Sequence, residues 1–273
     1  MTCPKTLNYY WRLLVTGFCF LIFGPGAVLA CLVLLPLRIA PIQEEKKRTL
    51  ARRCIGRMLT FYLAIMVKTG VLRLTVNGEE RLRASGSKFF IANHPTLIDA
   101  VVLISLIPDV VCVAKAELNR HFFMRELLKT TGYISNSEPE DFLRECSRTL
   151  ESGRSLLLFP EGTRSVPGEP LKLLRGAAQI ALRIGHPLTP VVITCSPPAL
   201  LKGQKWYHVP RSGPVTMKFT LCEDIHVASF QHENEGISLK SRKLTRYLTE
   251  YFHQQLQRPA EQRRSRGEPS SRD

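Results

Sequence analysis

The 273 residues contain no Cys-x-x-Cys pair, no Gly-x-Ser-x-Gly elbow and no Gly-x4-Gly-Lys loop. The first absence argues against a zinc ribbon or a thioredoxin-type centre, the second against an α/β-hydrolase nucleophile, the third against nucleoside triphosphate chemistry. Cys3, Cys19, Cys31, Cys54, Cys112, Cys146, Cys195 and Cys222 are scattered, so reduced and mostly buried thiols in a cytoplasmic domain are expected. His121, His186, His208, His226, His232 and His253 lack zinc-ligand spacing, and neither a metal nor a bound cofactor is expected. Acidic residues are the scarce charge, with 23 Asp and Glu against 38 Lys and Arg and a net charge of +15. That balance suits an anionic surface, whether lipid head groups or nucleic acid. No internal repeat is present.

Charge is missing altogether from Leu13 to Leu37, a run of 25 residues. As a helix it would reach roughly 37 Å, enough for a hydrocarbon core of about 30 Å. Gly24-Pro25-Gly26 lies in its middle, so a kinked span and a shallow two-helix hairpin in one leaflet both fit. A cleaved signal peptide fits less well, because the run is long and Ala30-Cys31 is followed by more apolar sequence. Beyond Arg38 come Lys46, Lys47, Arg48, Arg52, Arg53 and Arg57, then an apolar stretch from Met58 to Val67. The basic cluster is expected to face the cytoplasm and anionic head groups. Its plainer reading is a solvated helix face with ordinary ion pairs. The chain thus divides into a membrane-anchoring helical segment over 1–68, a domain over 69–257 and a disordered basic tail over 258–273.

The domain reads as alternating elements. Lys88 to Ala92, Ser155 to Phe159, Thr189 to Thr194 and Val215 to Leu221 are predicted strands. Ser137-Glu138-Pro139-Glu140 resembles a capping box opening a helix to about Leu150 that Gly153 ends, and Leu171 to Ile184 is a further predicted helix. Leu244, Leu248, Tyr251 and Phe252 make one apolar helical stripe suited to core packing. The expected fold is α/β, a mixed, largely parallel sheet flanked by helices, with a membrane-associated helical segment before it.

Two short segments carry the chemistry. In Asn93-His94-Pro95-Thr96-Leu97-Ile98-Asp99, a helix begun at Pro95 would leave His94 just outside it at a strand's carboxyl end. The ring could then fold back over the first turn. Asp99 would accept a hydrogen bond from one ring nitrogen, leaving the other to take a proton. A structural histidine beside an exposed aspartate is the bland alternative. In Phe159-Pro160-Glu161-Gly162-Thr163-Arg164-Ser165, Gly162 permits a tight turn and Arg164 offers a planar fork suited to phosphate or carboxylate. A turn with a surface ion pair is the alternative there.

Together the two segments resemble the glycerolipid acyltransferase family, which includes 1-acylglycerol-3-phosphate acyltransferases. The similarity covers most of residues 71–227 and extends to Lys115-Ala116-Glu117-Leu118, Arg175-Gly176-Ala177-Ala178 and Pro187-Leu188-Thr189-Pro190-Val191. It implies His94 as general base, Asp99 as its orienting partner, and Glu161, Gly162, Thr163 and Arg164 as acceptor-binding residues. Lys115 is a secondary candidate for the acceptor or oxyanion region, with a solvated lysine the alternative. The implied reaction moves a fatty acyl group from acyl-coenzyme A or an acyl carrier protein thioester to a lysophospholipid hydroxyl, without a covalent intermediate, on the cytoplasmic face of a bacterial inner membrane. Where many relatives carry a Gly-x-x-x-Ile-x-Arg segment, this chain has Gly132-Tyr133-Ile134-Ser135-Asn136-Ser137-Glu138 without arginine. That departure makes a different lipid acceptor plausible. The wording around His94 and in Cys195-Ser196-Pro197-Pro198 is similar to acyltransferases beside bacterial aryl polyene pathways. A membrane-attached thioesterase using the same pair on water is the reading from another enzyme class. A nucleic-acid partner is not expected, since only the Arg-rich tail supports one.

Overall fold

The strands are short, continuous apolar runs, which a sheet covered on both faces requires. In the computed structural model, residues 3–84, 86–136, 139–166, 168–231 and 235–258 are described, so most of the 258–273 tail and the Ser137-Glu138 half of the expected capping box lie outside. Helices α1 (Cys3–Ile39) and α2 (Glu44–Lys68) precede β1 (Leu72–Asn77), α3 (Glu79–Arg83), β2 (Phe89–Ala92), α4 (Asp99–Leu106) and β3 (Val111–Ala114). Then follow α5 (Phe122–Thr131), β4 (Ile134–Ser135), α6 (Pro139–Glu151), β5 (Leu156–Leu158), α7 (Gly176–Ile184), β6 (Leu188–Ser196), β7 (Val215–Leu221) and α8 (Ile237–Gln257).

The seven strands form one sheet in the order β1-β7-β6-β2-β5-β3-β4, parallel throughout except for the β6–β7 pair. Side chains alternate between its faces. Phe90, Ala92 and Leu157 pack with α2 and α4, whereas Phe89, Ile91, Leu156 and Leu158 pack with residues of α6, α7 and α8. The expected stripe on α8 does bury Leu244, Leu248 and Phe252 in that second core.

Two expected elements differ. The segment 171–175 is not helical, and α7 begins only at Gly176, because Leu174 spends its amide on the Pro160 carbonyl (2.7 Å), which holds the chain extended against the preceding turn. In the basic stretch, Arg52 is buried against Asp109 (2.6 Å) and the Thr131 carbonyl (2.8 Å), while Lys47 and Arg48 pair with Glu44 and Glu45. Half of that cluster is therefore spent on the protein itself, and Lys46, Arg53 and Arg57 remain exposed.

Helix α1 runs unbroken through Gly24-Pro25-Gly26, so the two-helix hairpin within that run does not form. Its 37 residues extend about 55 Å. Val15, Cys19, Ala30 and Leu34 are buried along one stripe, and the opposite side exposes Leu14, Phe18, Leu21, Leu29, Leu32 and Leu35. Both ends are fastened to the domain, Trp11 Nε1 donating to the Thr69 carbonyl (3.0 Å) and Arg38 pairing with Glu126 (2.5 Å).

Candidate active site

The carboxyl end of β2 carries Asn93 and His94. Asn93 is buried and exchanges two hydrogen bonds with the backbone of Ile193 on β6 (2.9 and 2.8 Å), which fixes the chain as it leaves the sheet. His94 Nδ1 lies 2.8 Å from Asp99 Oδ2. The route to that contact differs from the expected one, because α4 opens at Asp99 rather than Pro95. Residues 96–98 form a turn closed by the Asp99 side chain, whose Oδ2 accepts from the Thr96 amide (2.6 Å) and whose Oδ1 accepts from the Thr96 hydroxyl (2.6 Å). Both bonds run from Thr96 to the one carboxylate, which holds the turn closed and aims Asp99 at the histidine.

Asp99 is fully buried. Burial pushes its carboxyl pKa up, opposed by the hydrogen bonds from His94 and Thr96. Three donors converging on two oxygens suit the ionised form, which only accepts. A carboxylate at Nδ1 holds the proton on that nitrogen and leaves Nε2 as the acceptor. The His94 ring also stacks on Phe159, with centroids 4.3 Å apart.

Phe159 brings in the second segment. Strand β5 lies beside β2, so both motifs emerge at one sheet edge. Glu161 Oε1 accepts the His94 amide (2.7 Å) and the Ser165 hydroxyl (2.9 Å), and the Ser165 amide donates to the His94 carbonyl (2.7 Å). Glu161 thus ties the motifs together through one oxygen. Gly162 is left-handed, with φ 65°, a conformation that favours glycine, and a Cβ there would meet Leu174 Cδ1 at 2.8 Å and make that side chain move. Thr163 is exposed on the turn. Arg164 is half-buried, its Nη1 donating to the carbonyls of Leu200 (3.2 Å) and Leu201 (3.3 Å). Lys115 follows β3 at the same edge, but its ammonium is exposed and pairs with Glu117 (3.2 Å). In the segment lacking the usual arginine, Asn136 Oδ1 accepts the Ala116 amide (2.8 Å).

Beside the pair, Leu97 and Ile98 open into an apolar cavity also walled by Phe20 of α1, Tyr62 and Met66 of α2, and Leu200. Its lining includes Ala199 beyond β6, Val215 at the start of β7 and Leu72 at the start of β1. No group of His, Cys, Asp or Glu able to hold a metal occurs among the described residues.

The Acyltransferase family model matches residues 73–194, the stretch holding both motifs. Residues 73–194 are thus similar to this acyltransferase family. A coconut 1-acyl-sn-glycerol-3-phosphate acyltransferase is 28% identical over 208 residues, covering 74% of this chain and 64% of its own length. One from Helicobacter pylori strain J99 is 33% identical over 116 residues, 40% of this chain and 49% of that protein. This chain therefore spans less than two thirds of those two relatives. The crystal structure of the 1-acyl-sn-glycerophosphate (LPA) acyltransferase PlsC from Thermotoga maritima has the same fold, with a TM-score of 0.67 at 22% identity, over 91% of this chain and 98% of that one.

Glu161 offers a test within the candidate site. Glu161→Gln keeps an oxygen able to accept both bonds, whereas Glu161→Ala leaves the His94 amide without its partner, at a cost of about 1–3 kcal/mol. Thermal denaturation should separate the two, with Gln near wild type and Ala clearly lower. Burial, opposed by the bonds from His94 and Ser165, raises the Glu161 pKa. A carboxyl raised on folding contributes stability that is fully present below its unfolded pKa and lost as pH rises through its folded value. Glu161→Gln should therefore gain stability relative to wild type as pH rises through that window, and parallel curves would remove this account.

Proposed function

We propose that this protein transfers a fatty acyl group from an acyl-coenzyme A or acyl carrier protein thioester to the free hydroxyl of 1-acylglycerol-3-phosphate. The observation that carries the reading is the hydrogen-bonded His94–Asp99 pair, locked by Glu161 to the Phe159–Ser165 turn at the mouth of an apolar cavity. His94 Nε2 takes the acceptor's hydroxyl proton as that oxygen attacks the thioester carbonyl. The carbon–sulfur bond then breaks and the proton passes from Nε2 to the departing thiolate. Asp99 stabilises the imidazolium between those events. No covalent intermediate is needed, since the thioester is already activated and positioning supplies much of the barrier reduction.

Arg164 spends Nη1 on two carbonyls, and its remaining donors would take the acceptor phosphate. Glu161, Gly162 and Thr163 shape the turn on which it sits, and Lys115 supplies a further cation at the same edge. The cavity takes an acyl chain. Helix α1, apolar outside yet fastened at both ends, fits a helix lying along one leaflet better than one crossing it, with the domain over residues 69–257 on the cytoplasmic face of a bacterial inner membrane.

The test is a panel of lysolipids offered to membranes carrying the protein, with labelled acyl-coenzyme A and acyl carrier protein thioesters as donors. Lysophosphatidic acid should be acylated, and thioester consumption should be slow without it. Fast consumption without an acceptor would instead mean a thioesterase. Acylation of another lipid alone would move the acceptor assignment, as the segment lacking arginine around Asn136 allows.

A further inference from the structure

Arg12 is the one charged residue of α1 between Lys5 and Arg38, and it is 3% exposed. A guanidinium on so apolar a helix is costly unless its donors are satisfied. Among the described residues its partners are carbonyls and an amide rather than a carboxylate. Nε donates to Asn8 Oδ1 (3.1 Å), Nη1 to the carbonyls of Pro210 (2.7 Å) and Gly213, and Nη2 to that of Arg211 (3.5 Å). Those carbonyls belong to the segment 197–214 between β6 and β7, an irregular stretch that the arginine ties down at three points.

The same segment is held at two further points. Leu200, left-handed with φ 57° although not glycine, gives its carbonyl to the Leu97 amide (3.1 Å) and to Arg164 (3.2 Å). Trp206 lies on α1, where a Cβ on Gly17 would stand 3.1 Å from its ring. The segment is therefore a strap from the site motif, over the helix, to the buried arginine. Strap and helix are facing walls of the cavity, and Arg12, Trp206 and Leu200 all line it.

We infer that Arg12 is a positioning residue that holds the strap and α1 at a fixed separation and so sets which acyl chains the cavity takes. The inference rests on the acyltransferase reading. Moving either wall changes the volume beyond Leu97 without touching His94 or Asp99, so the effect should fall on discrimination among donors and on KM rather than on the chemical step.

The full chain, in mixed micelles with lysophosphatidic acid, is assayed with octanoyl-, palmitoyl- and oleoyl-coenzyme A for wild type, Arg12→Met, Arg12→Lys and Trp206→Ala. The ratio of kcat/KM between best and worst donor should fall by about tenfold in Arg12→Met and Trp206→Ala, a methylene-scale loss of fit, with KM for the best donor raised. Arg12→Lys, which keeps charge but not the fork, should recover part of the ratio. Trp206 is 46% exposed, so its replacement reads the wall even where Arg12→Met does not fold. An unchanged chain-length profile in Trp206→Ala and in folded Arg12→Met overturns the inference, as does an equal loss for every donor. A wild type that transfers from no donor overturns the acyltransferase reading itself and this inference with it.

Discussion

His94→Ala should lose acyl transfer by about 10²–10⁴-fold while the protein stays folded, the range general-base catalysis typically supplies. The two halves of that expectation have separate grounds. The residue's structural bonds are made by its backbone, the amide to Glu161 and the carbonyl from Ser165, and alanine keeps both. Only the ring is lost, with its stacking on Phe159 and its bond to Asp99. Turnover by radioactive acyl transfer and melting by circular dichroism measure the two halves independently. A folded variant retaining wild-type turnover within a few-fold would remove His94 from the mechanism.

Asp99→Asn should be nearly as damaging although it only exchanges one oxygen for an NH2. The aspartate faces the Thr96 amide, the Thr96 hydroxyl and His94 Nδ1, all within 2.8 Å. An asparagine must turn its own NH2 toward one of them. If it faces Nδ1, it donates there, the ring carries its proton on Nε2, and the atom that should accept the hydroxyl proton is already protonated. If it takes the place of Oδ1, it donates to the Thr96 hydroxyl, and the remaining oxygen still accepts from Nδ1 and the Thr96 amide but without the charge that stabilises an imidazolium. We expect a loss of about 10²–10⁴-fold from the wrong tautomer or the lost charge. The double variant with His94→Ala should be little worse than either single change, because residues acting as a unit are not additive. Additive losses, or an Asp99→Asn enzyme near wild type, would separate the aspartate from the histidine.

The strands were legible because Phe89 to Ala92 and Leu156 to Leu158 are unbroken apolar runs, the pattern a two-sided sheet imposes. The start of α4 was not. Pro95 is a good first helical residue, but the side chain of Asp99 recruits Thr96 and delays the helix, a choice made by side-chain hydrogen bonds rather than propensity. The stretch before α7 misled for a similar reason, its apolar spacing being used against Pro160 and Gly162 instead of within a helix. Glu161 read as a ligand to substrate, and the tie it makes to a backbone amide 67 residues earlier leaves no trace in local sequence. Arg12 carries a signal in the sequence: it stands immediately before the uncharged run, where a lone cation asks for a partner.

The parallel pairing of β1 with β7 joins Leu72 to Val215, the first strand to the last. Closing so long a loop costs entropy before any contact repays it, and such pairings are the slow part of assembling a sheet. During synthesis, β2, α4 and β5 have all emerged while the partner of β1 is still unmade. A chain cut short before residue 215 would hold His94 and Asp99 but lack β7, whose Val215 lines the cavity. The cavity lining is thus completed only after the segment holding His94 and Asp99 has been made.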